Sequence, residues 1–237
     1  MSNARAAILG RIDRALRTGR IPSVTRDPDG APAFQAGRSS ETEGARAFQS
    51  SRSGEVLERF LLEARALDVQ TFVEGAADGV RERLSTLVSG LRVLSWNPEQ
   101  LPYDAGSVVA GASFGSAPRA EQATADVGVT GCHGAVAETG SLVLLSAPGC
   151  SRAVSLLPPL HVALVRPEDL YPTMGDFFAA NADRMSGAGS CTFVTGPSRT
   201  ADIELSLTIG VHGPGRVVII VGPLRTASEN PLSPCVG

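Results

Sequence analysis

Residues 69–95, VQTFVEGAADGVRERLSTLVSGLRVLS, decide the class of fold. Short runs rich in β-branched and aliphatic residues at 69–73 and 92–95 predict strands. Residues 77–89 lie between these runs, have apolar side chains at helical spacing and predict a helix. A strand, a helix and a second strand in this order are typical of a parallel sheet, because parallel neighbours need a long crossover connection.

The chain before this stretch predicts a further helix and an arm. Residues 53–67 and residues 2–18 both place apolar side chains on one face of a helix. Residues 20–50 are rich in Pro, Gly, Ser and charge, as linkers are. We therefore expect residues 1–50 to form a helical N-terminal arm with an extended linker, and residues 51–237 to form an α/β domain.

The chain after residue 125 predicts a faster succession of strands. Strand-like apolar segments occur at 126–130, 141–145, 162–165, 191–195 and 216–221. A helix is predicted among them at 173–182. The predicted fold class is therefore α/β, with an open, mostly parallel sheet flanked by helices.

Composition limits the class of protein and its location. The chain has 237 residues, of which 43% are apolar, and a formal charge of −3. This acidic balance argues against nucleic-acid binding, since phosphate neutralisation needs a basic face. The longest apolar runs are far too short to span a bilayer, and the amino terminus lacks the apolar segment of a signal peptide. We therefore expect a cytoplasmic protein without a membrane span.

The basic residues limit how an anion can be bound. All 21 of them are arginine. The absence of lysine excludes a Schiff-base lysine and the lysine of a P-loop. An anionic ligand would therefore be held by arginine side chains or by backbone N–H groups.

The spacing of cysteine and histidine gives no metal-binding motif. The cysteines, none of which belong to a C-x-x-C pair, are Cys132, Cys150, Cys191 and Cys235. The histidines, none of which belong to an H-x-x-x-H pair, are His133, His161 and His212. We therefore predict no metal, no iron–sulfur cluster and no other cofactor in this chain.

Four loops combine glycine with Ser, Thr and Arg, at 131–141, 146–152, 195–204 and 210–214. Glycine lets the backbone approach a ligand closely, and hydroxyl and guanidinium groups bind phosphate or carboxylate. The same residues also form ordinary turns. If the loops converge, they form one pocket for a small polar or anionic ligand at the carboxyl edge of the sheet. The residues predicted to bind this ligand are Gly131, Thr139, Gly140, Gly149, Arg152, Gly196, Ser198, Asp202, Glu204, His212 and Gly213.

Glu138 is the predicted catalytic residue. It lies between an apolar segment and the loop residues Thr139 and Gly140, where a carboxylate acts as base, nucleophile or ligand for a hydroxyl group. The alternative is a carboxylate that caps nearby backbone N–H groups. Cys132 beside His133 resembles a nucleophile and its base, but neighbours in an extended strand point to opposite faces.

Segments in a fixed order along the second half of the chain carry a resemblance to a known family. They are GVTG at 128–131, AETGS at 137–141, RAVSLLP at 152–158 followed by His161, FVTGPS at 193–198, ADIE at 201–204 and GVHGP at 210–214. These segments resemble the LUD-domain family, in its lactate-utilization protein C (LutC/YkgG-like) branch.

The resemblance implies a fold, a role and partners. The fold would be like that of the NagB/RpiA/CoA-transferase group. The role would be in bacterial L-lactate oxidation to pyruvate, together with iron–sulfur partner subunits. Related CoA transferases use the glutamate of a Glu-x-Gly motif as nucleophile, and Glu138-Thr139-Gly140 is similar to that motif.

Three functions therefore remain open at the level of sequence. The first is a subunit of a lactate-oxidising system that binds a small carboxylate or anion. The second is a stand-alone enzyme that acts on a phosphorylated or CoA-linked substrate. The third is a ligand-binding module without chemistry. A homodimer joined through the predicted arm is a further expectation, and the residues alone do not establish that the chain is an enzyme.

Overall fold

The computed structural model describes residues 43–201, 207–209 and 212–223, and the side chains within 54–199 and 212–223. The predicted helix at 2–18 and the predicted linker up to residue 42 lie outside the described residues. The division into an arm and a domain therefore stays a prediction.

Strands and helices alternate along the described chain. The helices are α1 (Glu43–Ala66), α2 (Ala77–Val88), α3 (Arg119–Gln122), α4 (Ala153–Leu156) and α5 (Met174–Ser186). The strands are β1 (Gln70–Val73), β2 (Val93–Ser95), β3 (Ser113–Phe114), β4 (Val127–Thr130), β5 (Gly134–Val136), β6 (Ser141–Ser146), β7 (Leu160–Val165), β8 (Leu170–Tyr171), β9 (Ser190–Val194), β10 (Arg199–Ala201), β11 (Leu207–Ile209) and β12 (Arg216–Val221). Short 3₁₀ turns occur at Pro98–Gln100, Ala105–Ser107 and Pro167–Asp169.

Within the described residues, six strands form a central sheet in the order β1–β12–β7–β4–β2–β3. All neighbouring pairs in this sheet are parallel. Its middle strands are mostly apolar. β4 is buried throughout, and β7 and β12 are buried except at their first residues, as expected when both faces of a parallel sheet are covered. The predicted open, mostly parallel sheet flanked by helices is confirmed.

A second sheet lies in the insertion between β4 and β12. In the described part of the chain it has four strands in the order β8–β5–β6–β9. The predicted strands at 141–145 and 191–195 belong to this sheet, and β6 pairs antiparallel with both β5 and β9. The connection between β5 and β6 is too short for a parallel crossover, so these two strands form a hairpin.

The second sheet has two apolar faces. Ala135, Leu142 and Leu144 belong to the core that it shares with the central sheet. Val136 and Val143 point the other way and pack against Phe177 of α5. Alternation of side chains along each strand produces this division, which lets one short sheet connect the central core to an outer helix.

Helix α1 differs from its predicted extent. It spans Glu43–Ala66, so the prediction of a linker is wrong for residues 43–50. Ser and Gly residues in this segment favour turns when they stand alone. Residues 55–66 form helix more readily. Each residue that extends this helix towards residue 43 gains a backbone hydrogen bond, because helix propagation is easier than nucleation.

Helix α5 begins with a capping box. The Thr173 hydroxyl accepts a hydrogen bond from the Asp176 backbone N–H, and the Asp176 carboxylate accepts one from the Thr173 backbone N–H. Such reciprocal bonds satisfy backbone donors at a helix start. They fix the direction in which α5 leaves β8.

No helix among the described residues is both long and apolar enough to cross a membrane.

Candidate functional site

The order of strands defines one preferred place for a ligand. From β2 the chain continues to β3, which lies at one edge of the sheet. From β4 it continues to β7, which lies on the side of the opposite edge. The neighbours β2 and β4 therefore form the point at which the winding of the sheet reverses. Ligands of open α/β sheets bind outside the carboxyl ends of the strands at such a point.

The loop at 146–152 lies at this reversal point. The Asn97 backbone N–H donates to the Gly149 carbonyl at 3.0 Å. The Trp96 indole N–H donates to the Ser151 carbonyl at 3.2 Å. Because Trp96 and Asn97 directly follow β2, these bonds fix the loop to the carboxyl end of that strand.

Gly149 allows the loop to take this position. Its φ is +79°, a conformation that favours glycine. A Cβ atom there would lie 3.2 Å from both the Asn97 amide nitrogen and the Gln100 Cγ. The glycine predicted to approach a ligand therefore approaches the chain after β2 instead.

An open depression of about 660 Å³ is lined in part by this loop. Its wall combines one cationic side chain with small polar and apolar groups. The main lining residues are Ser146, Pro148, Ser151, Arg152, Leu156 and Leu157. Among the described residues, no Asp or Glu lines it.

Arg152 is the cationic group of this depression. Its side chain is exposed, and no ion pair or side-chain hydrogen bond ties it to another described residue. A guanidinium has five N–H donors in a planar fork that matches a carboxylate or phosphate. The depression can therefore bind an anion without first breaking an internal ion pair.

Glu138 lies elsewhere, at the start of α5. Its Oε1 accepts a hydrogen bond from the Met174 backbone N–H at 2.7 Å, and its own N–H donates to the Pro172 carbonyl at 3.1 Å. The first backbone N–H groups of a helix have no partner within the helix and favour negative charge. The half-buried carboxylate therefore caps the backbone at this helix start, and its catalytic role stays a prediction.

Thr139 and Ser141 form a chain of hydroxyl groups with Thr195. The Thr139 and Ser141 oxygens are 2.8 Å apart, and the Ser141 and Thr195 oxygens are also 2.8 Å apart. This chain joins the end of the loop at 131–141 to the start of the loop at 195–204. It makes these two loops one structural unit.

Gly140 and Gly196 hold this unit against the end of α1. Both have positive φ, +64° and +85° respectively. A Cβ on Gly140 would lie 2.4 Å from the Ala64 backbone nitrogen, and one on Gly196 would lie 3.0 Å from the Leu67 Cβ. Because these two glycines have no side chain, the loop backbone can pack closely against the end of α1.

The predicted residues Ser198, His212 and Gly213 lie at the opposite edge of the central sheet. Ser198 donates its backbone N–H to the Pro214 carbonyl at 2.9 Å, and Gly213 packs beside Ser198. Gly213 and the exposed His212 precede the first residue of β12 by a few residues, so this group lies at the amino end of that strand. Asp202 and Glu204 lie outside the described residues.

The prediction that the four loops surround one cavity is wrong for the described residues. The loop at 146–152 adjoins the carboxyl ends of β2 and β4, whereas the loop ending at 214 precedes β12 at its amino end. Loops before and after parallel strands lie at opposite edges of a sheet. Residue types alone do not reveal which edge a loop occupies.

Gly131, Cys132 and His133 follow β4 into the interior. A Cβ on Gly131 would meet the Gln100 carbonyl at 3.2 Å, so this glycine also serves close packing. Burial raises the pKa of the Cys132 thiol, which keeps it protonated. Burial also lowers the pKa of His133 to about 4, with Arg184 and Arg166 adding to the effect.

The His133 ring is bound to the second sheet. Its Nδ1 accepts a hydrogen bond from the Leu145 backbone N–H at 3.1 Å, so the neutral ring carries its proton on Nε2. Its centroid lies 5.3 Å from that of Trp96. A protonated thiol and a neutral imidazole engaged in this way do not form an activated nucleophile–base pair.

His161 is buried in the central sheet. Its Nε2 is 2.9 Å from the Thr130 hydroxyl, and its Nδ1 has no hydrogen-bond partner among the described residues. Burial lowers the pKa of this ring to about 4. A hydrogen-bonded structural role fits this buried position. The described residues contain no cluster of His, Cys, Asp and Glu that could hold a metal ion.

Sequence reasoning missed several residues of the reversal point. Trp96, Asn97 and Gln100 fix the loop that carries Arg152, and Leu156 and Leu157 form part of the depression. The sequence contained a signal for Trp96, Asn97 and Gln100, because these residues follow the carboxyl end of a predicted strand. The sequence could not reveal that this strand neighbours β4.

The fold and this site together define an α/β protein with a parallel central sheet, an inserted second sheet and an open cationic depression at the point where the winding reverses. A model of the LUD-domain family matches residues 113–221. Lactate utilization protein C of Exiguobacterium sp. is 32% identical over 181 residues, which cover 70% of this chain and 77% of that protein. The chain belongs to the LUD-domain family, in its lactate utilization protein C group.

Two further relatives extend this comparison. Lactate utilization protein C of Halalkalibacterium halodurans is 43% identical over 110 residues, but these cover only 44% of this chain and 46% of that protein. The crystal structure of a DUF162 family protein from Deinococcus radiodurans is similar with a TM-score of 0.59 and 25% identity. That similarity covers 72% of this chain and 98% of the other.

Proposed function

We propose that this chain acts in bacterial L-lactate utilization, as a subunit without metal clusters that works with iron–sulfur partner subunits. The observation that carries the proposal is the similarity to a lactate utilization protein C over 77% of that protein's length. We further propose that the depression beside Arg152 binds a small carboxylate, the chemical group that lactate and pyruvate share.

Arg152 is the residue on which the binding part of this proposal depends. Its guanidinium lies in a concave surface, is exposed and faces no described carboxylate in the lining. Hydrogen bonds to charged groups contribute roughly 1.5–3 kcal/mol each. One such contact by itself supports only weak binding, with a dissociation constant in the millimolar range or above.

The Arg152→Gln variant is expected to bind lactate or pyruvate at least tenfold more weakly than the unaltered protein. Glutamine keeps some polarity but loses the charge and the planar fork. Isothermal titration calorimetry measures the change. Arg59→Gln, which alters an exposed arginine on α1, is the matched control and should leave binding unchanged. Equal binding by both variants would exclude Arg152 as the anion contact.

Growth on lactate tests the role in the cell. A strain that lacks this protein should fail to grow on L-lactate, and the unaltered chain should restore growth. Affinity purification from lactate-grown cells should recover iron–sulfur proteins. Normal growth of the deletion strain, together with recovery of no such protein, contradicts the proposed role.

Glu138→Gln is expected to lower the free energy of unfolding by about 0.3–1 kcal/mol, because a carboxylate at the start of α5 is replaced by a neutral amide. Growth on lactate should be retained. Urea unfolding monitored by circular dichroism gives the stability change, and Asp176→Asn at the same helix start is the matched control. A Glu138→Gln variant of unchanged stability that no longer supports growth would instead assign a chemical role to this carboxylate.

A further inference from the structure

The depression beside Arg152 has an apolar side as well as a cationic one. Leu156 and Leu157 both line it, and they are 40% and 53% exposed. Pro148 and Ala147 line it as well. Adjacent exposed leucines in a concave surface indicate a binding site more often than single exposed leucines do.

The fold holds these leucines in the depression. α4 approaches β4 so closely that a Cβ on Gly128 would lie 1.9 Å from the Val154 carbonyl oxygen. Val154 and Ser155 are consequently buried between α4 and the sheet. The next two residues, Leu156 and Leu157, then remain at the surface of the depression.

The depression offers more space than a three-carbon acid fills. Lactate has six non-hydrogen atoms and would occupy roughly 180 Å³ if each took as much space as a water molecule in the liquid. The depression has a volume of about 660 Å³. Pockets of roughly 300–1,000 Å³ typically enclose larger organic ligands.

Resting on the proposed carboxylate site, we propose that this site selects 2-hydroxy or 2-oxo acids with an aliphatic chain longer than that of lactate. The carboxylate binds Arg152, and the aliphatic chain lies against Leu156 and Leu157. Lactate lacks such a chain and is then held by the polar contact alone. The two leucines determine specificity for chain length.

A homologous series of 2-hydroxy acids tests this proposal. Affinity measured by titration calorimetry should rise by about fourfold for each methylene group added from lactate to 2-hydroxyhexanoate, as expected for burial of a methylene group. The Leu156→Ala/Leu157→Ala double variant should lose this rise, so that its affinity is the same for every member of the series. Leu62→Ala, at an exposed leucine of α1, is the matched control and should keep it.

The outcomes separate this proposal from the proposed function. Equal affinity for all members of the series would overturn the chain-length selection but leave a carboxylate site at Arg152. A rise that persists in the double variant would overturn the assignment to Leu156 and Leu157. Absence of binding by every member would overturn both the ligand and its selection, whereas growth on lactate would still decide the cellular role.

Discussion

Replacing Gly140 by alanine is expected to lower the free energy of unfolding by about 2–5 kcal/mol. The left-handed backbone conformation at φ +64° costs a side chain roughly 1–2 kcal/mol. The new Cβ would also lie 2.4 Å from the Ala64 nitrogen and 2.8 Å from the Ala64 Cα. Forcing atoms into a packed interior costs roughly 1–3 kcal/mol more, because backbone on both sides must move.

Gly90 provides a matched control for this experiment. Its φ is +72°, and a Cβ there would meet no atom within 4 Å. Gly90→Ala should therefore show the conformational cost alone. Guanidinium chloride unfolding gives the free energy of unfolding of each variant. The difference between the two values measures how closely the loop at 131–141 packs on α1. Equal destabilisation of the two variants would show that this contact is looser than the distances indicate.

Acidification from pH 6.5 to pH 4.5 is expected to destabilise the protein strongly. His133 and His161 each have a pKa of about 4 in the folded protein because burial disfavours the charged ring. Unfolded histidine has a pKa near 6.5, so between these values the unfolded chain binds more protons than the folded one. Stability is therefore complete above pH 6.5 and is lost as the pH falls towards 4, by about 3 kcal/mol for each ring at most.

Unfolding midpoints in denaturant between pH 7.5 and 4.5 measure this loss. His161→Gln places an amide near the former Nε2, can keep the bond to Thr130 and removes one titrating group. The number of protons taken up on unfolding sets the slope of the free energy of unfolding against pH. This number should then fall by about one. The Asp126 carboxylate, whose pKa Arg92 lowers through hydrogen bonds, titrates below this window. A stability that is constant from pH 7.5 to 4.5 would show that neither ring is buried in its neutral form.

Local structure was largely readable from the sequence. Residues 77–89 and 216–221 were predicted within one residue at each end, because helical spacing and an apolar β-branched run are local signals. The parallel direction of β1 and β2 was predicted from the length of the connection between them. The start of α1 was not readable, since the segment at 43–50 depends on its continuation into a stronger helix.

The site was only partly readable. Arg152 was predicted as an anion contact and lies in the depression at the reversal point, where its binding role is a proposal. Gly131, Gly140 and Gly149 were predicted to approach a ligand, whereas each approaches another part of the chain. A glycine that is required for close approach has the same sequence signature whether it meets a ligand or a helix.

The sequence by itself determined where most of the strands and helices lie, the lack of lysine and the family resemblance, because these depend on residue identity and on spacing along the chain. Tertiary structure alone decided that β6 and β9 belong to a second sheet and that Glu138 caps α5. It also placed the loop of 146–152 and residues 212–214 at opposite edges of the central sheet. The physical reason is that strand order and direction set which loops meet, and they arise from contacts between residues that are far apart in the chain.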